Sequence, residues 1–233
     1  MNLIPPAAHL QHLDAGVFIA VEGLIGVGKS SFCCHLQQVR SGRRRCETFP
    51  EPVNKPAFKT LLERYYQDPA RWGFAFQMYV LKERFKQHTL AAELVVNGVD
   101  VVQDRSIFAD GVFGRMVCND GNMTPEEWDI YAETFGALKR FLRYPDVIVY
   151  LRAEPEVCLE RIKARARSAE GGIPLDYLRR LHQGHDELAE AMSRFTRVIR
   201  VDWQTFGNVE AVNQQIQEAL AAPIGFLRDF NRL

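Results

Sequence analysis

No stretch of this sequence is apolar for long enough to cross a bilayer: runs such as Val17–Val21 and Val147–Leu151 fall far short of the ~20 residues a membrane helix needs. Neither charge is in excess, with 29 Lys and Arg against 29 Asp and Glu. The molecule as a whole is therefore not drawn to nucleic acid or anionic lipid, and any anion must be held by a local cluster. Residues 1–14 contain no Lys or Arg, so the N-terminus lacks the charged start of a secretory signal and the Arg-rich pattern of a transit peptide. A cytoplasmic location is the expectation. Cysteines are few and odd in number, 5 in 233 residues, with Cys33 and Cys34 adjacent. They suit neither a disulfide framework nor a metal site and are expected to be reduced and mostly buried. Internal repeats and low-complexity runs are also lacking. What remains, 47% hydrophobic and 25% charged residues, is enough for one well-buried domain over residues 16–233, preceded by an extension over 1–15.

Short β-branched runs alternate with longer helix-compatible stretches. Strands are expected at Val17–Val21, Cys46–Phe49, Val99–Gln103, Val147–Leu151 and Val198–Val201. Continuous apolar runs indicate strands covered on both faces, so the fold class is α/β, a five-stranded parallel sheet with helices on both sides. Asp68-Pro69 reads as a cap with proline at the first helical position, opening a helix to about Val96. Thr124-Pro125-Glu126-Glu127 reads as a capping box. Ser168–Gly172, with its paired glycines, is expected to form a mobile loop within a lid over about residues 161–175. Arg43, Arg44 and Arg45 read as a solvated loop.

The strongest chemical signal is Gly23-Leu24-Ile25-Gly26-Val27-Gly28-Lys29-Ser30, which fits G-x-x-x-x-G-K-[ST] between the first strand and the first helix. Such a loop turns successive backbone N–H groups toward phosphate oxygens at a helix N-terminus. Lys29 would reach the β and γ phosphates and Ser30 would offer its hydroxyl to Mg²⁺. A GTPase would also need N-K-x-D, and Asn54-Lys55-Pro56-Ala57 lacks the aspartate.

A small-molecule kinase needs, besides the phosphate loop, a carboxylate base and cations around the transferring phosphoryl. Glu51 follows the second strand between two prolines that restrict the backbone, at the sheet edge where ligands bind in this architecture. Asp104 and Arg105 follow the third strand to the same edge, Asp104 for Mg²⁺ or its waters and Arg105 to steer the acceptor or Glu51. Arg161, Lys163, Arg165 and Arg167 spread positive charge over about two helical turns before the expected lid, either to meet the γ-phosphoryl or as a solvated face.

Taken in order, the phosphate loop, Glu51-Pro52-Val53, Asp68-Pro69-Ala70-Arg71-Trp72 leading to Phe76-Gln77, Asp104-Arg105-Ser106, and Arg165-Ala166-Arg167-Ser168 with Gly172-Ile173-Pro174-Leu175 resemble the deoxyribonucleoside kinases, over roughly residues 16–220. The resemblance implies a P-loop kinase fold with an arginine-rich lid, ATP as phosphate donor, Mg²⁺, and a homodimer built through the helices around Phe74–Val96 and Met123–Leu142. It implies that Glu51 activates the 5′-hydroxyl with help from Arg105, and that Tyr66 and Glu170 hold the sugar 3′-hydroxyl. Gln77 would read the base edge. Ser31, with Gly23, Gly26, Gly28, Lys29 and Ser30, would line the donor site, together with Arg161, Arg165 and the Asp202–Phe206 loop. Lys29, Arg165 and Arg167 would serve the transfer itself.

Arg84, seven residues after Gln77 on the same helical face, and Asp110 match an arginine–aspartate pair of members that accept purines or deoxycytidine. Such a pair would crowd the 5-methyl of thymine, so deoxyadenosine or deoxyguanosine is expected over thymidine, with deoxycytidine or broad acceptance as the alternative. Pro56 and Gly114 depart from the better-known animal enzymes and imply a reshaped, roomier base pocket, with Phe76 and Phe113 as stacking candidates. Bacterial purine deoxynucleoside kinases are the nearer likeness. Competing readings are a thymidylate kinase, which usually follows Glu-Pro with glycines where this chain has Val53-Asn54-Lys55, and a non-catalytic nucleotide binder.

Overall fold

The computed structural model describes residues 15–42, 44–165 and 172–222. Arg43, Arg167, Glu170 and the expected lid loop from Ser168 to 171 lie outside them, as does the expected N-terminal extension up to Asp14.

Five strands, β1 (Phe18–Gly23), β2 (Cys46–Phe49), β3 (Asp100–Asp104), β4 (Val147–Arg152) and β5 (Arg197–Asp202), form one sheet in the order β2-β3-β1-β4-β5. Every pairing is parallel. Eight α-helices are described: α1 (Lys29–Ser41), α2 (Pro56–Gln67), α3 (Pro69–Val96), α4 (Asp110–Asn119), α5 (Pro125–Lys139), α6 (Pro155–Arg165), α7 (Leu175–Met192) and α8 (Val209–Ala221).

The two-residue period of β1 explains the layering. Ile19 and Val21 face a core with Phe32 and Leu36 of α1 and Val212 and Ile216 of α8. Ala20, on the opposite face, packs with Leu81 of α3, Tyr131 of α5 and Met192 of α7. A strand covered on both sides must be apolar at every position, and each such Leu, Ile or Phe stabilises the fold by roughly 1.5–3 kcal/mol.

β1 and β3 run past the apolar stretches that identify them, through Glu22 and Asp104. Both carboxylates are buried and bonded, Glu22 to Ser106 and Asp104 to Ser30, and those bonds let a charged residue continue a buried strand. Helix starts behave as their residues require. Asp68 Oδ1 accepts from the Arg71 N–H, and Thr124 and Glu127 form the reciprocal capping box. Cys33, Cys46 and Cys158 are buried, whereas Cys34 is exposed; all five cysteines are free thiols. Arg44 donates to the carbonyl of Ala15, and Arg45 pairs with Glu47. Among the described residues, no helix is long and apolar enough to cross a membrane.

Candidate active site

The carboxyl ends of β1, β2 and β3 deliver their following residues to one rim, and a cavity of about 370 Å³ opens there. That volume suits a nucleoside with part of a polyphosphate. The glycine-rich loop after β1 forms one wall, with Gly26, Gly28, Lys29, Ser30 and Ser31 on its surface. Gly23 opens the loop at φ 144°, where a Cβ would lie 2.5 Å from the Leu151 carbonyl oxygen, so only glycine fits. Lys29 Nζ donates to the carbonyls of Gly23 and Leu24, at 3.2 and 2.8 Å. Burial and the nearby Arg105 charge pull its pKa down to about 8.

Glu51 lines the same cavity as the loop. Its Oε1 accepts from Arg105 Nε at 2.7 Å and from Arg84 Nη2 at 2.9 Å. Burial opposes its charge, but Arg105, Arg84 and Lys29 outweigh that and hold its pKa at about 2. Arg105 also donates through Nη2 to the Gly23 carbonyl at 3.1 Å, and its Nη1 faces His185 Nε2 at 3.0 Å. The residue sits at φ 67°, a left-handed conformation rare for a side chain of this size. Two backbone bonds hold that turn: Arg105 N–H donates to the Val21 carbonyl and Ser106 N–H to Glu22 Oε1.

Asp104 Oδ2 accepts from Ser30 Oγ at 2.6 Å, while its buried Oδ1 has no partner among the described residues. Burial and the neighbouring Glu51 charge raise its pKa. An unpartnered carboxylate oxygen beside a hydroxyl at the end of the phosphate loop fits Mg²⁺, which takes few protein ligands and fills its octahedron with water and phosphate oxygens.

The inner end of the cavity is lined by α3 and α4. Gln77 is buried and Arg84 Nη1 pairs with Asp110 Oδ1; among the described residues neither Gln77 Oε1 nor Asp110 Oδ2 has a partner. Burial pushes the Asp110 pKa up to about 6 against the pull of Arg84. Phe113 lies under both guanidiniums, 5.6 Å from that of Arg84 and 4.8 Å from that of Arg105. Phe76 lines the cavity, stacked on Tyr65 and edge-on to Phe58. Tyr66 is at the mouth, about half exposed.

The donor-side residues divide. Arg165 lines the cavity. Arg161 instead donates to the carbonyls of Val27, Trp203 and Gln204 and lies over the Phe206 ring at 4.4 Å, bracing the phosphate loop against the β5–α8 loop. Phe206 is exposed beside Gly28, and Asp202 caps its own loop by accepting from Gln204 N–H. Gly114 opens no space in the base pocket, contrary to expectation. A Cβ there would lie 2.3 Å from the Tyr131 ring, which fills the gap and donates its hydroxyl to the Asp110 carbonyl. Neither Pro56 nor Gly114 lines the cavity.

Sequence reasoning passed over Glu22, Tyr131, Tyr177 and His185. Glu22 had a signal, a carboxylate interrupting an apolar strand directly before the loop. The others came from helices whose neighbours only the tertiary structure reveals.

A parallel sheet with a phosphate loop after its central strand, and a carboxylate–arginine pair on the same rim, defines a P-loop phosphotransferase for small acceptors. The family model described as "Deoxynucleoside kinase" matches residues 19–224. A deoxyadenosine kinase of Dictyostelium discoideum is 35% identical over 202 residues, covering 87% of this chain and 78% of the relative. A deoxyadenosine/deoxycytidine kinase of Bacillus subtilis is 33% identical over 178 residues, covering 75% of this chain and 77% of its own. A deoxyguanosine kinase of D. discoideum is 28% identical, covering 85% of this chain and 68% of its own. The chain belongs to the deoxynucleoside kinase family, and is a transferase that phosphorylates deoxynucleosides.

Proposed function

We propose that the chain transfers the γ-phosphoryl of ATP to the 5′-hydroxyl of a purine deoxyribonucleoside, deoxyadenosine foremost, with Glu51 as general base. The carrying observation is that one cavity gathers Glu51, the phosphate loop with Lys29, and the set Gln77, Arg84 and Asp110. An amide that donates and accepts at once, beside a guanidinium–carboxylate pair, suits the mixed donor and acceptor edge of adenine. Both relatives described above at 33% or more carry deoxyadenosine in their names. The second of those names also carries deoxycytidine, which favours dual acceptance as the alternative reading.

In this reading the loop N–H groups grip the donor phosphates, and Lys29 leaves its carbonyl contacts to join them. Ser30 and Asp104 would hold Mg²⁺, whose charge offsets that of the phosphate oxygens. Glu51 lends its second carboxylate oxygen to the acceptor hydroxyl and takes its proton as the O–P bond forms and ADP leaves. A carboxylate this acidic orients the hydroxyl first and receives the proton late, as a loose phosphoryl-transfer transition state permits. We assign Arg165, which lines the cavity, and Arg167 to the transferring group, and Tyr66, at the cavity mouth, and Glu170 to the sugar. Arg161 and Phe206 border the donor base. The unit is one kinase domain over 16–233 with a lid over about 161–175, cytoplasmic, and paired as a homodimer through α3 and α5, on which Leu90, Val96 and Ile130 are exposed.

Glu51→Gln is expected to lower kcat by ~10²–10⁴ while the circular dichroism spectrum is kept; wild-type turnover removes Glu51 from the mechanism. An acceptor panel with ATP is expected to give deoxyadenosine the highest kcat/KM. Phosphorylation of dTMP but of no free nucleoside refutes the assignment.

A further inference from the structure

Among the described residues the Arg105 side chain has three hydrogen-bond partners, and one of them has no part in the chemistry above. Nε meets Glu51 and Nη2 meets the Gly23 carbonyl, whereas Nη1 meets Nε2 of His185, a buried residue in the middle of α7. An arginine is always charged and only donates, so the imidazole nitrogen facing it must accept. That requirement fixes His185 as the neutral tautomer with its proton on Nδ1, and Nδ1 has no partner among the described residues. A buried, unpartnered N–H is rare and unfavourable, and an apolar residue at this position would avoid it. Burial and the charges of Arg105, Lys29 and Arg84 all push the imidazole pKa well below its ordinary value, in keeping with the neutral form.

We infer that His185 is a positioning residue for the catalytic base: by accepting from Nη1 it fixes the plane of the Arg105 guanidinium, so that Nε aligns Glu51 while Nη2 ties the same group to the phosphate loop. The inference rests on Glu51 being the base. The need is physical. The left-handed turn at Arg105 is fixed by its backbone bonds, but a long side chain beyond it keeps several free torsions, and two acceptors leave the planar fork able to swivel. A third acceptor on a different element removes that freedom. The His185 and Phe113 rings pack edge to face, and the Phe113 ring carries the Arg105 guanidinium, so the imidazole is itself held. The element is also well chosen, because α7 sends Tyr177 to the cavity and so relates the acceptor site to the base.

The test compares His185→Leu and His185→Gln in the full-length enzyme, with Glu51→Gln alongside. Leu is expected to lower kcat about tenfold to a hundredfold, with KM for deoxyadenosine and for ATP within about threefold of wild type. Gln, whose amide oxygen reaches the place of Nε2, is expected to recover most of that loss. Wild-type kcat in the Leu variant, or a Gln variant as impaired as Leu, overturns the role. Nitrogen-15 NMR of histidine-labelled wild type is expected to give an unprotonated Nε2 for the signal missing from the Gln variant. A protonated Nε2 also overturns the inference, and this measurement stands even if the Leu variant fails to fold. Full activity in Glu51→Gln would remove the base reading and this inference with it. An inactive Glu51→Gln beside a fully active Leu variant removes His185 alone.

Discussion

Arg84 binds two carboxylates at once, Glu51 through Nη2 and Asp110 through Nη1, so the group expected to read the base also holds the group expected to take the proton. Changing Arg84 and Asp110 together to Met and Ala is therefore expected to shift preference toward thymidine and also to lower kcat on deoxyadenosine. The check is kcat/KM for both acceptors, and an unchanged ratio discards the selectivity role. Lys29 makes a second prediction. Its pKa is about 8 in the ligand-free protein, and phosphates at its amine would raise it. Near pH 8 the free enzyme carries only part of that proton and the complex all of it, so ATP binding takes up protons. Calorimetry in buffers of different ionisation enthalpy should detect an uptake of about half a proton per site. Glu51 has the opposite sign. Held at about 2, it stays ionised well below pH 5, so kcat/KM should show no acid limb from it between pH 8 and pH 5.

At the scale of elements, what the sequence revealed depended on how local each determinant was. The capping box at Thr124 and the cap at Asp68 are complete within four residues, and both form as read. Thr124→Ala is expected to cost about 1 kcal/mol in urea unfolding, with kcat unchanged. The strand ends at Glu22 and Asp104 were missed because their partners, Ser106 and Ser30, lie more than seventy residues away in sequence. Gly114 was misread for a related reason. Its missing side chain makes room for Tyr131 of α5, a neighbour that spacing along α4 does not disclose. Gly114→Ala is expected to destabilise the fold by roughly 1–3 kcal/mol through that overlap, and the displaced Tyr131 hydroxyl should raise KM for the nucleoside by loosening Asp110.

For the molecule as a whole, parallel strands put their carboxyl ends on one side, so residues that follow different strands converge without any sequence proximity. That rule made Glu51, Asp104 and Arg105 legible as neighbours of the phosphate loop from their positions just after strands. It says nothing about helix faces, which is why His185 and the double grip of Arg84 became visible only in three dimensions.

The central place of β1 has a bearing on how the chain emerges during synthesis. Phe18 pairs with Val101 on one side and Ile19 with Val147 on the other. β1 is thus flanked by partners that leave the ribosome much later, and until then an apolar edge stands open on each side. Long-range pairing of this kind slows folding and exposes the nascent chain to aggregation, so translation pace and chaperone supply should govern the yield of active enzyme more than final stability does.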